Sequence, residues 1–201
     1  MIKRAFDVLT ALAGVLCLLP LFLVVAILIK LDSSGPVIFR QERIGKRFRP
    51  FGIYKFRTMV GDAERRGGSL TCGEDPRITR IGRLLRRSKI DELPQLVNVL
   101  KGDMSIVGPR PEVRQFVERF RDDYEQILTV RPGITDLASL KFRDEATLLG
   151  AVSNPEDIYV QSILPEKVSL EKEYIRRASI WFDLTLIAKT LAALSGVRVS
   201  V

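Results

Sequence analysis

Histidine is absent from the 201-residue sequence, and cysteine occurs only twice. The usual general base of enzyme active sites is therefore missing. Cys17 stands in an apolar run and Cys72 in a Gly-rich loop, and they show neither metal-ligand nor redox spacing. We interpret both as free thiols in a reducing compartment.

Several nucleotide and metal motifs are also missing. The sequence contains no GxxxxGKS/T phosphate loop, no GxGxxG fingerprint, no HExxH and no paired CxxC. These absences argue against a nucleotide triphosphatase, a Rossmann dehydrogenase and a zinc enzyme. No internal repeat, low-complexity tract or Gly/Ser linker divides the chain, so its length fits one domain with an anchor.

Acidic residues are fewer than basic ones, with 24 Asp and Glu against 32 Lys and Arg and a formal net charge of +8. The resulting pI of about 9.8 favours anionic partners. Nucleic acid, a phospholipid surface and phosphorylated small molecules all satisfy this condition. Charge alone does not choose among them.

The longest charge-free stretch covers residues 8–29 and is long enough to cross a bilayer as a helix. Pro20 lies near its middle, where it removes a backbone hydrogen bond and predicts a kink. Basic residues such as Lys3 and Lys30 flank both ends, and cytoplasmic flanks attract positive charge. We therefore predict a re-entrant membrane helix at 1–31, broken at Pro20. A signal peptide and a buried core helix are the alternatives.

The remaining chain reads as short strands and helices. Residues 35–45 and 49–59 indicate two strands around a basic turn, and residues 61–77 a loop. Residues 78–89 predict a basic amphipathic helix of the kind that lies on an anionic membrane surface. Further expectations are a helix from Gln95 that ends at Gly102, Gly/Pro loops at 102–112 and 130–135, a helix starting near Pro111, and helices at 164–177 and 179–196, the last an interfacial helix with Trp181 and Phe182.

Two acidic residues, Asp91 and Glu92, stand side by side in RRSKIDELPQL, just after a basic cluster. One interpretation is structural: Asp91 is the N-cap of a helix with Pro94 in its first turn. The other is chemical, because nearby cations and the helix dipole should lower the pKa of Asp91 and keep it ionised. Such a carboxylate can bind Mg²⁺ or attack phosphorus, and neither reaction needs histidine.

Three Gly- or Pro-containing or basic segments carry cations that suit phosphate. They are YKFRTM with Lys55 and Arg57, GPRP with Arg110, and VRPGIT with Arg131. Arginine offers a planar fork of donors that matches phosphate oxygens. Any one segment is compatible with a solvated surface turn, whereas three in one small domain favour phosphate binding.

The run KIDELPQLVNVLKGDMSIVGPRPE, with YKFRTM before it, VRPGIT after it and an apolar segment interrupted by Pro, closely resembles the bacterial sugar transferase family. These are the monotopic polyprenyl-phosphate phosphoglycosyl transferases. The resemblance extends from Lys3 to about Leu194. It implies Mg²⁺-dependent transfer of a phosphosugar from a UDP-sugar to polyprenyl (undecaprenyl) phosphate with release of UMP. It also implies the cytoplasmic face of the bacterial inner membrane and a first step in exopolysaccharide or glycoconjugate assembly.

The same resemblance implies roles for individual residues. Asp91 would be the nucleophile that forms a phosphoglycosyl-aspartyl intermediate, and Asp91 and Glu92 would associate with the metal. Two departures are Leu19 before Pro20, where the family has Ser, and Asp136 after RPGIT, where many members have Gly. The implied substrate contacts are Lys55, Arg57, Arg86, Arg110, Pro111, Arg131 and Asp183.

The expected fold is α+β: a mostly helical small catalytic domain with a short β-hairpin or sheet, the membrane helix at 1–31 and amphipathic interfacial helices. The catalytic domain would cover 32–201. Two other functions stay open, a Mg²⁺-dependent UDP-sugar hydrolase and a membrane-tethered nucleic-acid-binding protein. Since the aromatics form no stacking platform, we expect no nucleic-acid partner. The sugar, the polyprenol length, the glycan pathway and a homodimer are left open by the sequence.

Overall fold

The computed structural model describes residues 2–63, 70–197 and 199. A long N-terminal helix, α1 (Ile2–Asp32), packs on a domain of short helices with two small sheets of two strands each. The mostly helical α+β class is thereby confirmed. Residues 64–69, which fall in the predicted loop at 61–77, lie outside the described residues, and residues 70–77 form turns and irregular structure as expected.

Helix α1 is 31 residues long, contains Pro20, and is apolar enough to cross a membrane by length and composition. One face packs on the domain and buries Ala11, Val25 and Ile29, while large apolar side chains such as Leu16 on the other face are exposed. Helix α1 continues through Pro20, so the break in the membrane helix stays a prediction. The alternative of a fully buried core helix is wrong for this half-exposed helix.

Both ends of α1 are fastened to the same domain. Near its start, the buried carboxylate of Asp7 accepts hydrogen bonds from the Ser105 hydroxyl at 2.9 Å and from the Ile106 N–H at 3.1 Å. Near its end, Asp32 Oδ2 accepts the N–H of Ile81 at 3.0 Å. The two flanks of the apolar run therefore share one support.

The predicted hairpin is confirmed, with strands β1 (Ile38–Ile44) and β2 (Pro50–Phe56) paired antiparallel. Its turn contains a short 3-10 helix, Lys46–Phe48. Arg47 and Phe48 there have positive φ angles of 57° and 59°. The hairpin thus carries a tightly wound basic tip at one end.

The predicted basic helix is present as α2 (Arg80–Ser88), and Thr79 caps it by accepting the Gly82 N–H at 3.0 Å. Its apolar residue Leu85 packs with Val25 and Ile29 of α1, whereas Leu84 is 59% exposed. The apolar side is therefore only partly covered by protein. Contact of α2 with a membrane surface remains a prediction.

Helix α3 (Gln95–Lys101) ends at Gly102, as predicted, with a positive φ of 91°. The segments that follow were expected to be loops, but each contains a short strand. β3 (Ser105–Val107) pairs in parallel with β4 (Gly133–Thr135). A Cβ on Gly133 would lie 2.1 Å from the Gly108 nitrogen. The glycines that indicated loops here allow two backbones to approach closely.

The rest of the domain is helical. The helix predicted near Pro111 begins at Arg114, and the two closing helices are confirmed. Trp181 is 78% exposed on the last helix, and its interfacial role stays a prediction. The bounds are α4 (Arg114–Arg119), α5 (Arg121–Ile127), α6 (Leu137–Lys141), α7 (Glu145–Gly150), α8 (Pro155–Ile158), a π-helical turn (Tyr159–Ile163), α9 (Leu164–Arg177) and α10 (Ile180–Leu194).

Candidate active site

Asp91 lies in a 3-10 turn, Ile90–Glu92, that follows Lys89 in the left-handed conformation. Helix α3 begins later, with Pro94 at its N-cap position and no side-chain cap. The prediction that Asp91 caps this helix is therefore wrong, because the extra turn separates Asp91 from the free N–H groups. Asp91 is 7% exposed, and its Oδ1 is buried without a hydrogen-bond partner among the described residues.

Glu92, the neighbour of Asp91, is held by two cations. Its Oε1 accepts from Lys55 Nζ at 2.8 Å and from Arg110 Nη2 at 2.6 Å, and its Oε2 accepts from Arg110 Nη1 at 3.3 Å. The two-point Arg110 contact fixes both the position and the orientation of the carboxylate. Glu92 thereby ties the end of β2 to the segment that follows β3.

The two carboxylates differ in their electrostatics. Burial raises the pKa of Asp91 from its ordinary value; Lys55 opposes this rise and Glu92 adds to it. The expected lowering of the Asp91 pKa is thus wrong, because desolvation outweighs the nearby cations. Burial also acts to raise the pKa of Glu92, but Arg110 and Lys55 outweigh it and hold that pKa well below its usual range. Such a divergence is typical of carboxylate pairs with different roles.

The surroundings also shift the pKa values of the cations around the pair. Burial lowers the pKa of Lys55, and the charge of Glu92 partly restores it. The adjacent Glu92 raises the pKa of Arg110 instead. Arg86 donates from Nε to the Thr58 hydroxyl at 2.8 Å, and its charge acts on Asp91. Lys55 and Arg110 therefore contact Glu92, and Arg86 lies close enough for its charge to act on Asp91. Their roles as substrate contacts stay predictions.

The Arg110 segment is supported by Asp136, which the sequence singled out only as a departure from the family pattern. Asp136 is 0% exposed. Its Oδ1 caps α6 by accepting a hydrogen bond from the Ser139 N–H at 2.7 Å. Its Oδ2 accepts a hydrogen bond from the backbone N–H of Arg110 at 3.3 Å. Pro111, next to Arg110, is buried as well. Asp136 thus fixes the backbone that carries the Arg110 side chain.

A second buried acid, Glu171 of α9, accompanies Asp136. Its Oε2 has no hydrogen-bond partner among the described residues. Burial raises the pKa of Glu171 well above its usual value, and the charge of Asp136 adds to the rise. No local motif pointed to Glu171, because its setting comes from the packing of distant segments.

Three predicted substrate contacts lie elsewhere. Arg57 is buried and donates from Nη2 to the backbone carbonyl of Ser33 at 2.7 Å, beyond the end of α1. Asp183 is buried, accepts the Tyr174 hydroxyl at 2.8 Å and pairs with the start of α1. Arg131 donates to the Gly102 carbonyl at 2.7 Å, at the far end of α3. The structure gives these side chains other partners, and their substrate roles stay predictions.

The carboxylates present limit how a metal could be held. Among the described residues there is no group of three or more His, Cys, Asp or Glu side chains placed for a metal ion. Mg²⁺ is usually bound through one or two carboxylates together with substrate phosphates and water. The free Oδ1 of Asp91 and the remaining acceptor capacity of Glu92 fit that manner of binding.

A buried Asp91 beside a partly buried Glu92, with three cations nearby and no histidine, forms a site suited to phosphate-transfer chemistry. This site lies on a domain attached to a long apolar helix. The family model described as "Bacterial sugar transferase" matches residues 1–196. The chain belongs to this family.

Curated relatives agree. The chain is 41% identical over 193 residues to a UDP-N-acetylgalactosamine-undecaprenyl-phosphate N-acetylgalactosaminephosphotransferase of Aeromonas hydrophila, covering 94% of this chain and 43% of the relative. It is 41% identical over 196 residues to an undecaprenyl-phosphate glucose phosphotransferase of Komagataeibacter xylinus, covering 94% and 35%. It is 40% identical over 199 residues to an exopolysaccharide production protein of Rhizobium leguminosarum bv. phaseoli, covering 96% and 94%. The chain thus spans less than half of the first two relatives and nearly all of the third.

Proposed function

We propose that this protein transfers a phosphosugar from a UDP-sugar to undecaprenyl phosphate and releases UMP. The observation that carries the proposal is the buried, unpartnered Oδ1 of Asp91 beside a Glu92 that Lys55 and Arg110 hold in place. The relatives' names, which combine UDP-sugars or sugars with undecaprenyl phosphate, support the two substrate classes.

The reaction would proceed in two steps. The carboxylate of Asp91 attacks the phosphorus that bears the sugar, the bond from this phosphorus to the bridging oxygen breaks, and UMP leaves. A phosphate oxygen of undecaprenyl phosphate then attacks the same phosphorus, and the aspartyl oxygen departs. Since an ionised phosphate has no proton to lose, neither step requires a histidine base.

The neighbouring residues would stabilise charge on the transferred group. Lys55 and Arg110 together outweigh the single negative charge of Glu92, so the trio retains a net positive charge for phosphate oxygens. Arg86 adds another cation close to Asp91. Asp91 and Glu92 would hold Mg²⁺ together with the donor diphosphate. When bound, Mg²⁺ would neutralise charge on the phosphate oxygens.

Membrane attachment is proposed to be monotopic, at the cytoplasmic face of the inner membrane. A straight span would place the ends of α1 on opposite sides of a hydrocarbon core about 30 Å thick. Asp7 and Asp32 instead both bind the same domain. This support argues for two flanks on one side.

Cysteine labelling in intact cells tests the membrane arrangement. Single cysteines at Ile2→Cys and Lys46→Cys, in a background with Cys17 and Cys72 replaced by Ser, should both resist a membrane-impermeant reagent added from outside. Lysed cells provide the positive control. Labelling of one position with protection of the other would contradict a re-entrant helix.

The transferase and the hydrolase differ in the fate of the sugar phosphate. Purified full-length protein is given each UDP-sugar of a panel with a short polyprenyl phosphate, and UMP and labelled sugar are followed. Transfer should move the label into organic solvent in step with UMP release. UMP release with all label left in water would identify the hydrolase. Asp91→Asn protein, assayed in parallel, serves as the matched control and should give neither UMP release nor transfer of the label.

A further inference from the structure

A basic cavity lies at the tip of the hairpin, with a volume of about 420 Å³. Its lining includes Lys46, Arg47 and Arg49 of the turn between β1 and β2, together with Arg131 just before β4. We call these four residues the hairpin-tip cluster. None of the three turn residues was singled out from the sequence as a site residue.

The hairpin-tip cluster is separate from the Asp91 site. Strand β2 begins at Pro50, beside the cluster, and Lys55 near its other end contacts Glu92. Five residues of extended strand span about 16 Å. Helix α3 gives the same separation, because Glu92 precedes its first turn and Gly102, which lines the cavity, follows its last.

The charges of the hairpin-tip cluster are not neutralised by ion pairs within the described part of the chain. Arg131 donates its Nε–H to the Gly102 carbonyl, which leaves its other N–H donors available. Asp103 also lines the cavity, but its carboxylate forms no salt bridge there and accepts from Asn98 Nδ2 at 3.4 Å. Like charges gathered in one concavity attract an anion that relieves their repulsion.

The tip is held in a fixed shape rather than left to adapt. Arg47 and Phe48 both have left-handed backbone angles, which non-glycine residues adopt only where surrounding contacts compel them. The Arg47 N–H donates to the Leu128 carbonyl at 2.8 Å, and the Gly45 N–H donates to the Arg49 carbonyl at 2.9 Å. The Phe48 ring packs against the core. The positive groups are therefore displayed in a preset arrangement.

The cavity also adjoins the start of α1. Arg4 of α1 donates to the Val99 carbonyl at 2.7 Å, and its Nη2 lies 3.5 Å from where a Cβ on Gly102 would be. A flank of an apolar helix lies at the level of lipid headgroups when the helix enters a membrane. We propose that the hairpin-tip cluster binds the phosphate group of an anionic lipid headgroup at a site separate from Asp91.

Native mass spectrometry of the detergent-purified full chain tests this binding. The protein is titrated with short-chain phosphatidylglycerol, with short-chain phosphatidylcholine, whose choline offsets the same phosphate, and with inorganic phosphate as a competitor. We expect retention of phosphatidylglycerol to exceed that of phosphatidylcholine. The triple variant Lys46→Gln/Arg47→Gln/Arg49→Gln should reduce phosphatidylglycerol retention by at least about tenfold.

A matched control separates a built site from diffuse attraction. Arg114→Gln/Arg119→Gln/Arg176→Gln removes the same charge from exposed positions of α4 and α9 and should retain wild-type lipid binding. Equal losses in the two triple variants, or no loss in the hairpin-tip variant, would overturn the proposal. Inorganic phosphate that displaces the lipid at equal concentration would assign the site to free phosphate, which also overturns a lipid occupant. Circular dichroism verifies that each variant is folded.

Lipid binding by the hairpin-tip cluster does not depend on the proposed transferase activity. The same titration in Asp91→Asn protein should give wild-type lipid retention, because the cluster lies at the opposite end of β2. Lipid binding that survives while transfer fails would therefore leave the hairpin-tip site standing. Transfer that survives while the lipid preference is absent would remove the hairpin-tip site alone.

Discussion

The two ends of β2 present positive charge in different ways. At one end, Lys55 and Arg110 are paired with Glu92, and the resulting cluster surrounds Asp91. At the other end, Arg47 and Arg49 have no carboxylate partner within the described residues. Paired cations are held in place and shape the environment of a reactive acid, whereas unpaired cations are available to an incoming anion. Both ends of β2 are basic, so charge alone does not distinguish the paired cations from the unpaired ones.

The largest expected effect comes from the reactive acid itself. Asp91→Asn keeps the side-chain shape but removes the nucleophile, so turnover should fall by about 10⁴-fold or more while the fold persists. Wild-type protein given UDP-sugar and Mg²⁺ without lipid should release about one equivalent of UMP in a burst and gain the mass of a phosphosugar. Intact-protein mass spectrometry after acid quench compares the two proteins.

Near wild-type turnover by folded Asp91→Asn protein would show that Asp91 is not the nucleophile. The unpartnered Oδ1 would then be a tolerated burial of a polar atom rather than a poised nucleophile. Because Asp91 is not a helix cap, a stability change caused by loss of capping is not expected in this variant.

The next effect concerns the acid that holds the cations. Glu92→Gln keeps the size of the side chain but leaves Lys55 and Arg110 without a neutralising charge, and a hard cation loses a ligand. We expect a weakened response to Mg²⁺ and a loss of turnover of about 10²-fold or more. A metal titration measures the half-saturating Mg²⁺ concentration. An unchanged value with reduced turnover would reassign Glu92 to positioning Lys55 and Arg110.

Arg110→Lys tests whether the two-point contact matters beyond charge. An ammonium retains the positive charge but cannot hold both oxygens of Glu92 or a phosphate in the same planar geometry. We expect transfer to fall by roughly 10- to 100-fold. A steady-state assay of UMP release measures this, with Arg114→Lys on the exposed surface of α4 as the control. Equal activity of the two variants would show that charge alone suffices at position 110.

Much of this arrangement could be predicted from the sequence, because local patterns report it. Alternating residues predicted the hairpin, and apolar composition predicted α1. The IDELPQL, YKFRTM and GPRP segments were all singled out as site segments, and the structure brings Lys55 and Arg110 together at Glu92, next to Asp91. Their joint role in the reaction stays a prediction. The closing helices α9 and α10 also lie where the sequence predicted helical segments.

The features that were missed depend on contacts between distant segments. The strands β3 and β4 are three residues each, too short for a periodic pattern, and the glycines in β4 and on either side of β3 resemble those of loops. The raised pKa of Asp91 follows from burial, which neighbouring residues in the sequence do not report. The hairpin-tip cluster likewise joins Arg131 to a turn more than 80 residues earlier, at Lys46 to Arg49.

The smallest predicted effect concerns the buried acids that lie behind Arg110. Glu171 is buried beside Asp136, and its pKa is raised in the folded protein. A folded protein that binds this proton more tightly than the unfolded chain is stabilised below the unfolded pKa and loses that contribution as pH rises through the folded pKa. Lys167, Glu112 and Tyr124 also face this region, and Lys167 opposes the rise.

Glu171→Gln keeps a neutral side chain at every pH and should therefore weaken this pH dependence. We expect melting temperatures close to wild type near pH 5 and higher than wild type near pH 9, by roughly 2–4 °C for each kcal/mol of difference. Circular dichroism melts across this range measure it, with Glu173→Gln, a partly exposed position on the same helix, as the control. If Glu171→Gln and wild type lose stability in parallel as pH rises, Glu171 is not the titrating group.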